Sequence, residues 1–130
     1  MLLDTSGLLC VHDRSQSFHR EACEHYAIAI DRLTHNYVLA EWVALATARK
    51  MSRSQSLEVV QDLQNNPDIE VVWVDPWLHE RAMNLLVSRQ DKSYSLCDAV
   101  SFVILRDRKM SQALTTDHHF EQEGFERLLK

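Results

Sequence analysis

Met1-Leu2-Leu3-Asp4-Thr5-Ser6-Gly7-Leu8-Leu9 opens the chain. A short apolar run meets one carboxylate, then two hydroxyl side chains and a glycine, then more apolar residues. That order predicts a buried strand ending at Asp4, a tight turn, and a helix beginning near Ser6. In open α/β sheets ligands bind outside the carboxyl ends of the strands, which places Asp4 at a candidate site.

The remainder of the chain alternates between the two periodicities. Phe18, Ala22, Cys23, Tyr26, Ala27, Ile30 and Leu33 recur at helical spacing and predict an amphipathic helix over 19–33. His35 to Leu39 reads as a short β-rich strand, and Ala40 opens the next helix with Glu41 in its first turn. Ser52 to Gln55 resembles a capping box before a helix carrying Leu57, Val60 and Leu63. Ile69 to Asp75 is the clearest strand, and Asp75-Pro76 supplies an N-cap and first helical position for a helix bearing Leu78, Ala82, Leu85 and Leu86. Ser95 is another N-cap, and the helix from Leu96 to Arg108 is apolar almost all round, so it must be central. Ala113 to Thr116 is a strand ending at Asp117, His118 to Gly124 a loop or single turn, and Phe125 to Leu129 a last strand. Strands alternating with helices imply an α/β protein with a parallel sheet covered on both faces. Right-handed crossovers bring all the strands' carboxyl ends to one edge.

The 130 residues suit one domain, 1–130, and 45% hydrophobic with 25% charged residues is ordinary for a globular protein. No apolar run approaches the ~20 residues of a membrane span. Asp4 interrupts any signal-peptide layout at once. Cys10, Cys23 and Cys97 are odd in number and widely spaced, so they read as reduced core residues of a cytoplasmic protein, not a disulfide framework or zinc site. A net charge of −5 argues at first sight against a nucleic-acid partner. Setting four of the 19 acids aside as one metal site leaves 15 against 14 Lys+Arg, a surface still able to carry basic patches.

Asp4, Glu41, Asp98 and Asp117 are the acids at strand carboxyl ends or helix amino ends. Like charges gathered beside apolar segments are costly, and a divalent cation relieves that cost. Oxygen ligands without an accompanying cysteine or paired histidine favour magnesium or manganese over zinc. Taken singly, Glu41 and Asp98 also read as first-turn helix acids favoured by the macrodipole, and Asp117 as a turn aspartate. The case lies in the four together.

These residues resemble the PIN-domain ribonucleases, especially the VapC-type toxins of toxin–antitoxin pairs. The resemblance spans the chain: the strand ending in Asp4 with Ser6 two residues on, Glu41 near the start of its helix, Ser95-Leu96-Cys97-Asp98-Ala99, and Thr115-Thr116-Asp117-His118-His119-Phe120. It implies a PIN-like three-layer α/β/α sandwich with a five-stranded parallel sheet. It implies Mg2+ or Mn2+ held by Asp4, Glu41, Asp98 and Asp117, and hydrolysis of RNA to a 5′-phosphate and a 3′-hydroxyl. It also implies a small antitoxin partner and a homodimer. Ser6 and Thr115 would donate hydrogen bonds to carboxylates or phosphate, or serve as turn hydroxyls. Candidate RNA contacts are Lys92, Arg49, Lys50, Arg53 and the cluster Arg106, Arg108, Lys109, each also readable as a solvated helix end or loop. His118 and His119 follow a metal acid and read as substrate contacts or exposed loop residues. Trp73 and Trp77 are expected in the core, with Trp42, beside Glu41, either there or in a groove.

A haloacid-dehalogenase-type phosphatase would need a second aspartate where Ser6 stands, and a receiver domain would need a strand and helix before its aspartate. The remaining alternative is a PIN fold kept as an RNA- or protein-binding module with little or no cleavage. Lost acids would mark it, and all four are present.

Overall fold

The computed structural model describes all residues, 1–130. The elements run β1 (Leu2–Leu3), α1 (Thr5–His12), α2 (His19–Ile28), β2 (Arg32–His35), α3 (Asn36–Ala48), α4 (Arg53–Asn65), β3 (Ile69–Val72), α5 (Pro76–Ser88), α6 (Leu96–Asp107), β4 (Gln112–Leu114), α7 (His119–Gln122) and β5 (Glu126–Arg127). The five strands form one sheet in the order β3-β2-β1-β4-β5, with every pairing parallel. The opening stretch is therefore the middle of the sheet. Leu2 pairs with Leu33 and Ala113, and Leu3 with Leu114.

Successive strand residues face opposite sides of a sheet, and this alternation builds the three layers. Leu3 and Leu114 join one core with Leu8, Val38, Leu39, Trp42, Ala46, Val59 and Leu63 from α1, α3 and α4. Leu2, Leu33 and Ala113 join the other with Leu78, Ala82, Val100, Phe102 and Phe120 from α5, α6 and α7. Helix α6 is the central helix its composition predicts, buried without interruption from Cys97 to Leu105. No helix is long and apolar enough to cross a membrane.

Several boundaries differ from expectation. The 19–33 helix stops at Ile28, and Ile30 is 95% exposed. Arg32 donates hydrogen bonds to the carbonyls of Tyr26 and Ala27 at 2.7 and 3.3 Å, and the chain then turns into β2. Leu33 belongs to the sheet, so its apolar character came from β pairing and not from a helical stripe. The β-prone run Tyr37-Val38-Leu39 is helical, because Val38, Leu39, Trp42 and Ala46 bury one face of α3 and packing outweighs intrinsic preference. Glu41 accordingly sits in the second turn of α3. Strand β3 ends at Val72, and Trp73 and Trp77, expected in the core, are 62% and 64% exposed. Trp42 is fully buried, with its indole N–H donating to the Ser56 carbonyl at 3.0 Å, so it is no groove residue. The 118–124 segment contains the short helix α7.

Two contacts tie the layers to the sheet. His35, at the end of β2, is fully buried; its Nε2 lies 2.8 Å from Ser101 Oγ on α6. Burial alone holds that imidazole down at about 3, so it is neutral throughout the physiological range. Gly7 lets α1 lie directly on β4: a Cβ there would meet the Leu114 carbonyl oxygen at 1.9 Å. No side chain can yield to relieve that contact, because the obstacle is backbone. Gly7→Ala is expected to lower stability by about 3 kcal/mol or more, the upper part of the overpacking range, measured by urea denaturation. A loss within ~0.5 kcal/mol would show that α1 is not seated on β4 this closely.

Candidate active site

A cavity of about 250 Å³ at the carboxyl ends of the central strands is lined by Asp4, Thr5, Ser6, Glu41, Leu45, Asp98 and Asp117. Four acids separated by up to 113 residues in sequence thus face one small volume. A larger recess of about 610 Å³, lined in part by Arg32, Ile69, Glu70 and Arg108, lies at the strands' opposite ends. It holds no comparable donor cluster, and its Arg108 is taken by a bidentate pair with Glu70 at 2.8 and 2.6 Å.

Asp4 occupies the N-cap position of α1, yet its side chain makes no capping bond. It turns toward the segment that follows β4. Thr115 Oγ1 donates to Asp4 Oδ2 at 2.7 Å, and Ser6 Oγ lies 3.4 Å from the same oxygen. Ser6 Oγ is also 3.1 Å from Thr115 Oγ1; since the Thr115 proton goes to Asp4, Ser6 is the donor in that contact. The backbone N–H of Thr116 donates to Ser6 Oγ and that of Asp117 to Thr115 Oγ1, both at 3.0 Å. The two hydroxyls therefore stitch the end of β1 to the segment after β4.

Asp98 is the third residue of α6 and forms a reciprocal capping box with Ser95. Its N–H donates to Ser95 Oγ, and the Ser95 N–H donates to Asp98 Oδ2, both at 3.0 Å. The helix-terminus reading of Asp98 and its place in the acid cavity hold together. Glu41 is different: it is exposed, in the second turn of α3, and caps nothing. Asp117 accepts from the His119 N–H at 2.9 Å in a local Asx turn.

Two residues beyond the four acids join the site. His119, read from the sequence as a substrate contact or an exposed loop residue, has its Nδ1 3.1 Å from Asp98 Oδ2 and 3.3 Å from Asp117 Oδ1, with its Nε2 3.1 Å from Ser93 Oγ. Facing two carboxylates, Nδ1 carries the proton and Nε2 accepts from Ser93. The one sequence signal was its position two residues after Asp117. Cys97, taken as a core thiol, offers Sγ within 4.8 Å of carboxylate oxygens of both Asp4 and Glu41. Burial first, then the charges of Glu41, Asp4 and Asp98, push that thiol far up, so it is protonated and inert on its own. Nothing local in the sequence announces this contact, because it joins α6 to α3 and β1.

The electrostatics follow from burial. Asp4 is only 4% exposed and is pushed up to about 7; burial is the main cause, the charges of Asp98 and Glu41 add to it, and the Thr115 bond opposes it. Asp98 is raised by burial and by Asp117, with Ser95 and His119 pulling the other way. In both carboxylates every protein hydrogen bond falls on Oδ2. Oδ1 of each has no such bond, both residues line the cavity, and the buried Thr5 Oγ1 has no partner. Clustered acids with one oxygen each unused, and an orphaned hydroxyl, fit a divalent cation.

The basic candidates separate clearly. Arg106 pairs with Glu123 and Arg108 with Glu70, so neither is free for RNA, and Lys92 lies 3.4 Å from Asp91. Arg49 and Arg53 are exposed and carry no ion pair. Arg49 lies one helical turn beyond Leu45 of the acid cavity and lines a second recess with His12, Asp13, Arg14, Met51 and Gln55.

Residues 1–126 match the PIN domain. The chain is 31% identical over 93 residues to the 23S rRNA-specific endonuclease VapC20 of Mycobacterium tuberculosis, in strains CDC 1551 / Oshkosh and ATCC 25618 / H37Rv; the match covers 72% of this chain and 70% of the relative. The crystal structure of Mycobacterium tuberculosis VapC20, described as a sarcin-ricin loop cleaving toxin, superposes with a TM-score of 0.90 at 25% identity, covering 99% of this chain and 98% of that one. The chain belongs to the PIN-domain family, among its VapC-type ribonucleases.

Raising an acid on folding has a definite sign. The folded protein holds the Asp4 proton more tightly than the unfolded chain, so stability present at acid pH is lost as pH rises from about 4 to about 7. Cation-free Asp4→Asn protein is expected to gain stability relative to cation-free wild type across that window, by about 2–4 kcal/mol in total. Urea denaturation at stepped pH reads this directly; a difference that stays constant with pH would mean that Asp4 titrates as an ordinary aspartate.

Proposed function

We propose that this chain is the toxin of a type II toxin–antitoxin pair, a divalent-cation-dependent endoribonuclease acting through Asp4, Glu41, Asp98 and Asp117. The convergence of four acids from four separate segments on one cavity carries this reading. Asp4 and Asp98 supply the most rigid ligands, each held by hydrogen bonds to one oxygen with the other free of them. Asp117, on a short loop fixed by Thr115 and His119, completes the ligand set. Glu41, the exposed member of the set in the second turn of α3, would orient water or support the cation. A bound Mg2+ or Mn2+ would supply Lewis acidity, bringing water to nucleophilic form near neutral pH and stabilising charge on the phosphate. Thr115, braced by Ser6, aims Asp4 through its hydrogen bond, and His119 aims Asp98 and Asp117 in the same way. The products are a 5′-phosphate and a 3′-hydroxyl.

The named target of the relatives points to a structured stem-loop of large-subunit ribosomal RNA as the first substrate to test. A small antitoxin, homodimerisation and a cytoplasmic setting belong to the same proposal, as does a single domain over 1–130. Trp73, Trp77 and Val87, all more than 60% exposed, offer apolar surface of the kind protein partners cover. The rival, a PIN module that binds without cleaving, is disfavoured because no acid of the cavity is missing.

Incubation of purified protein with an end-labelled stem-loop RNA and Mg2+ or Mn2+ is expected to give cleavage at defined positions. Asp4→Asn and Asp98→Asn should reduce the rate by about 10²–10³-fold, the scale of losing one electrostatic stabiliser of a transition state. Intact RNA with wild-type protein and either cation would reject the nuclease in favour of the binding module.

Arg49, one turn beyond Leu45 of the acid cavity, and Arg14, which lines the second recess with it, are proposed to hold flanking phosphates. The double variant Arg14→Ala/Arg49→Ala should bind RNA more weakly, with the slope of log K against log salt reduced by about 1 per lost phosphate contact. An unchanged slope, measured on catalytically dead Asp4→Asn protein, would remove both residues from the interface.

A further inference from the structure

Asp4, Glu41 and Cys97 come from three different elements: the end of β1, the second turn of α3 and the first turn of α6. One donor atom from each, two carboxylate oxygens and Sγ, lies within 4.8 Å of both others. A hard-cation site needs no thiol, and a structural core thiol needs no pair of carboxylates around it. We infer that Asp4, Glu41 and Cys97 form a site for a thiophilic divalent cation of the zinc type, overlapping the place proposed for Mg2+ or Mn2+.

A second feature points the same way. Thr5 lines the cavity with Asp4 and Glu41, is only 3% exposed, and has no hydrogen-bond partner for Oγ1. It offers a fourth oxygen to a cation or to its water, as four-coordinate zinc requires. Zinc holds thiolate at ~2.3 Å and carboxylate at ~2.0–2.2 Å, so tetrahedral donors sit roughly 3.5 Å apart. Donors within 4.8 Å of one another need close by no more than about 1.3 Å to meet that spacing, which the exposed Glu41 side chain can supply by rotation. The set, one thiolate and two carboxylates, is mixed in hardness. Zinc-type ions follow thiolate, whereas magnesium has no use for it.

Binding is one exchange: the cation forms a bond to Sγ, and the Cys97 proton leaves to solvent. No oxidant or reductant is involved. Because Asp4 and Glu41 serve both ions, a zinc-type ion competes with the nuclease cation and holds the enzyme inactive. That consequence rests on the nuclease reading; the site itself does not.

Co2+ is the probe, since a cobalt–thiolate bond gives an ultraviolet charge-transfer band that carboxylates alone do not. Titrating cation-free protein with Co2+ is expected to give a band that saturates at one ion per chain and is displaced by Zn2+. Cys97→Ser should abolish it, while Cys23→Ser, at the thiol 3.8 Å from the His19 imidazole, should keep it. Glu41→Gln replaces an exposed side chain and spares the core, so it decides the matter if Cys97→Ser does not fold. It should weaken Co2+ binding by about tenfold or more, as loss of a ligand or its support does. No band in wild type, a band that survives Cys97→Ser, or unchanged affinity in Glu41→Gln overturns the site. Absence of Mg2+-supported RNA cleavage in the same preparation would strike only the nuclease reading, leaving the band untouched.

Discussion

Holding Asp4 almost out of water beside three other acids is the constraint on which the rest of the structure depends. Hydrogen bonds to a charged group are worth ~1.5–3 kcal/mol each, and Asp4 receives a short one from Thr115. Its carboxyl nevertheless rises to about 7, so burial and the neighbouring charges win over the donors around it. The fold therefore keeps an unresolved electrostatic strain at one edge of its sheet. The strain is specific in direction, because Asp4 and Asp98 both spend Oδ2 on the protein and leave Oδ1 without such a bond. A cation with two positive charges is the simplest agent that relieves it.

The scaffold that imposes this strain is economical. Strand β1 has only two residues, both fully buried, yet it is the central strand. Leu2 and Leu3 anchor opposite cores, so Asp4 is located by packing on both sides of the sheet. Gly7 removes the one Cβ that would lift α1 away from β4, and the hydroxyls of Ser6 and Thr115 then close the gap between the ends of those segments. On the far side, the continuous burial of α6 from Cys97 to Leu105 leaves Asp98 little freedom. Ser95 supplies a cap that also aims the carboxylate. Asp4 and Asp98 are thus buried and held by hydrogen bonds, whereas Glu41 and Asp117 lie on the more open side of the cavity.

His119 and Cys97 show how the neighbourhood of the acids is tuned. His119 gives its Nδ1 proton to the space between Asp98 and Asp117 and takes a bond from Ser93, linking the loop before α6 to the loop after β4. Cys97 stands in the first turn of α6, next to Asp98 in sequence but turned toward Asp4 and Glu41. Neither residue belongs to the acidic pattern, and each contacts two members of it.

Much of the fold was legible because it rests on local chemistry. Alternating strand and helix patterns, the Ser95 and Asp75 caps and the unbroken apolar run of α6 all predict what is observed. The errors had one cause. Ile30, Leu33, Tyr37 and Val38 are apolar or β-prone, and only the tertiary structure says whether such a residue faces a sheet partner, a helix or solvent. Trp73 and Trp77 failed as core residues for the same reason. For the site, the sequence by itself determined the four acids, their hydroxyl neighbours Ser6 and Thr115, and the family to which their order belongs. Only the tertiary structure decided that Arg106 and Arg108 are consumed by ion pairs, that His119 bridges two acids, and that the Cys97 thiol lies against Asp4 and Glu41. Those are contacts between segments remote in the chain, set by how helices and sheet pack, and no periodicity or spacing along the sequence encodes them.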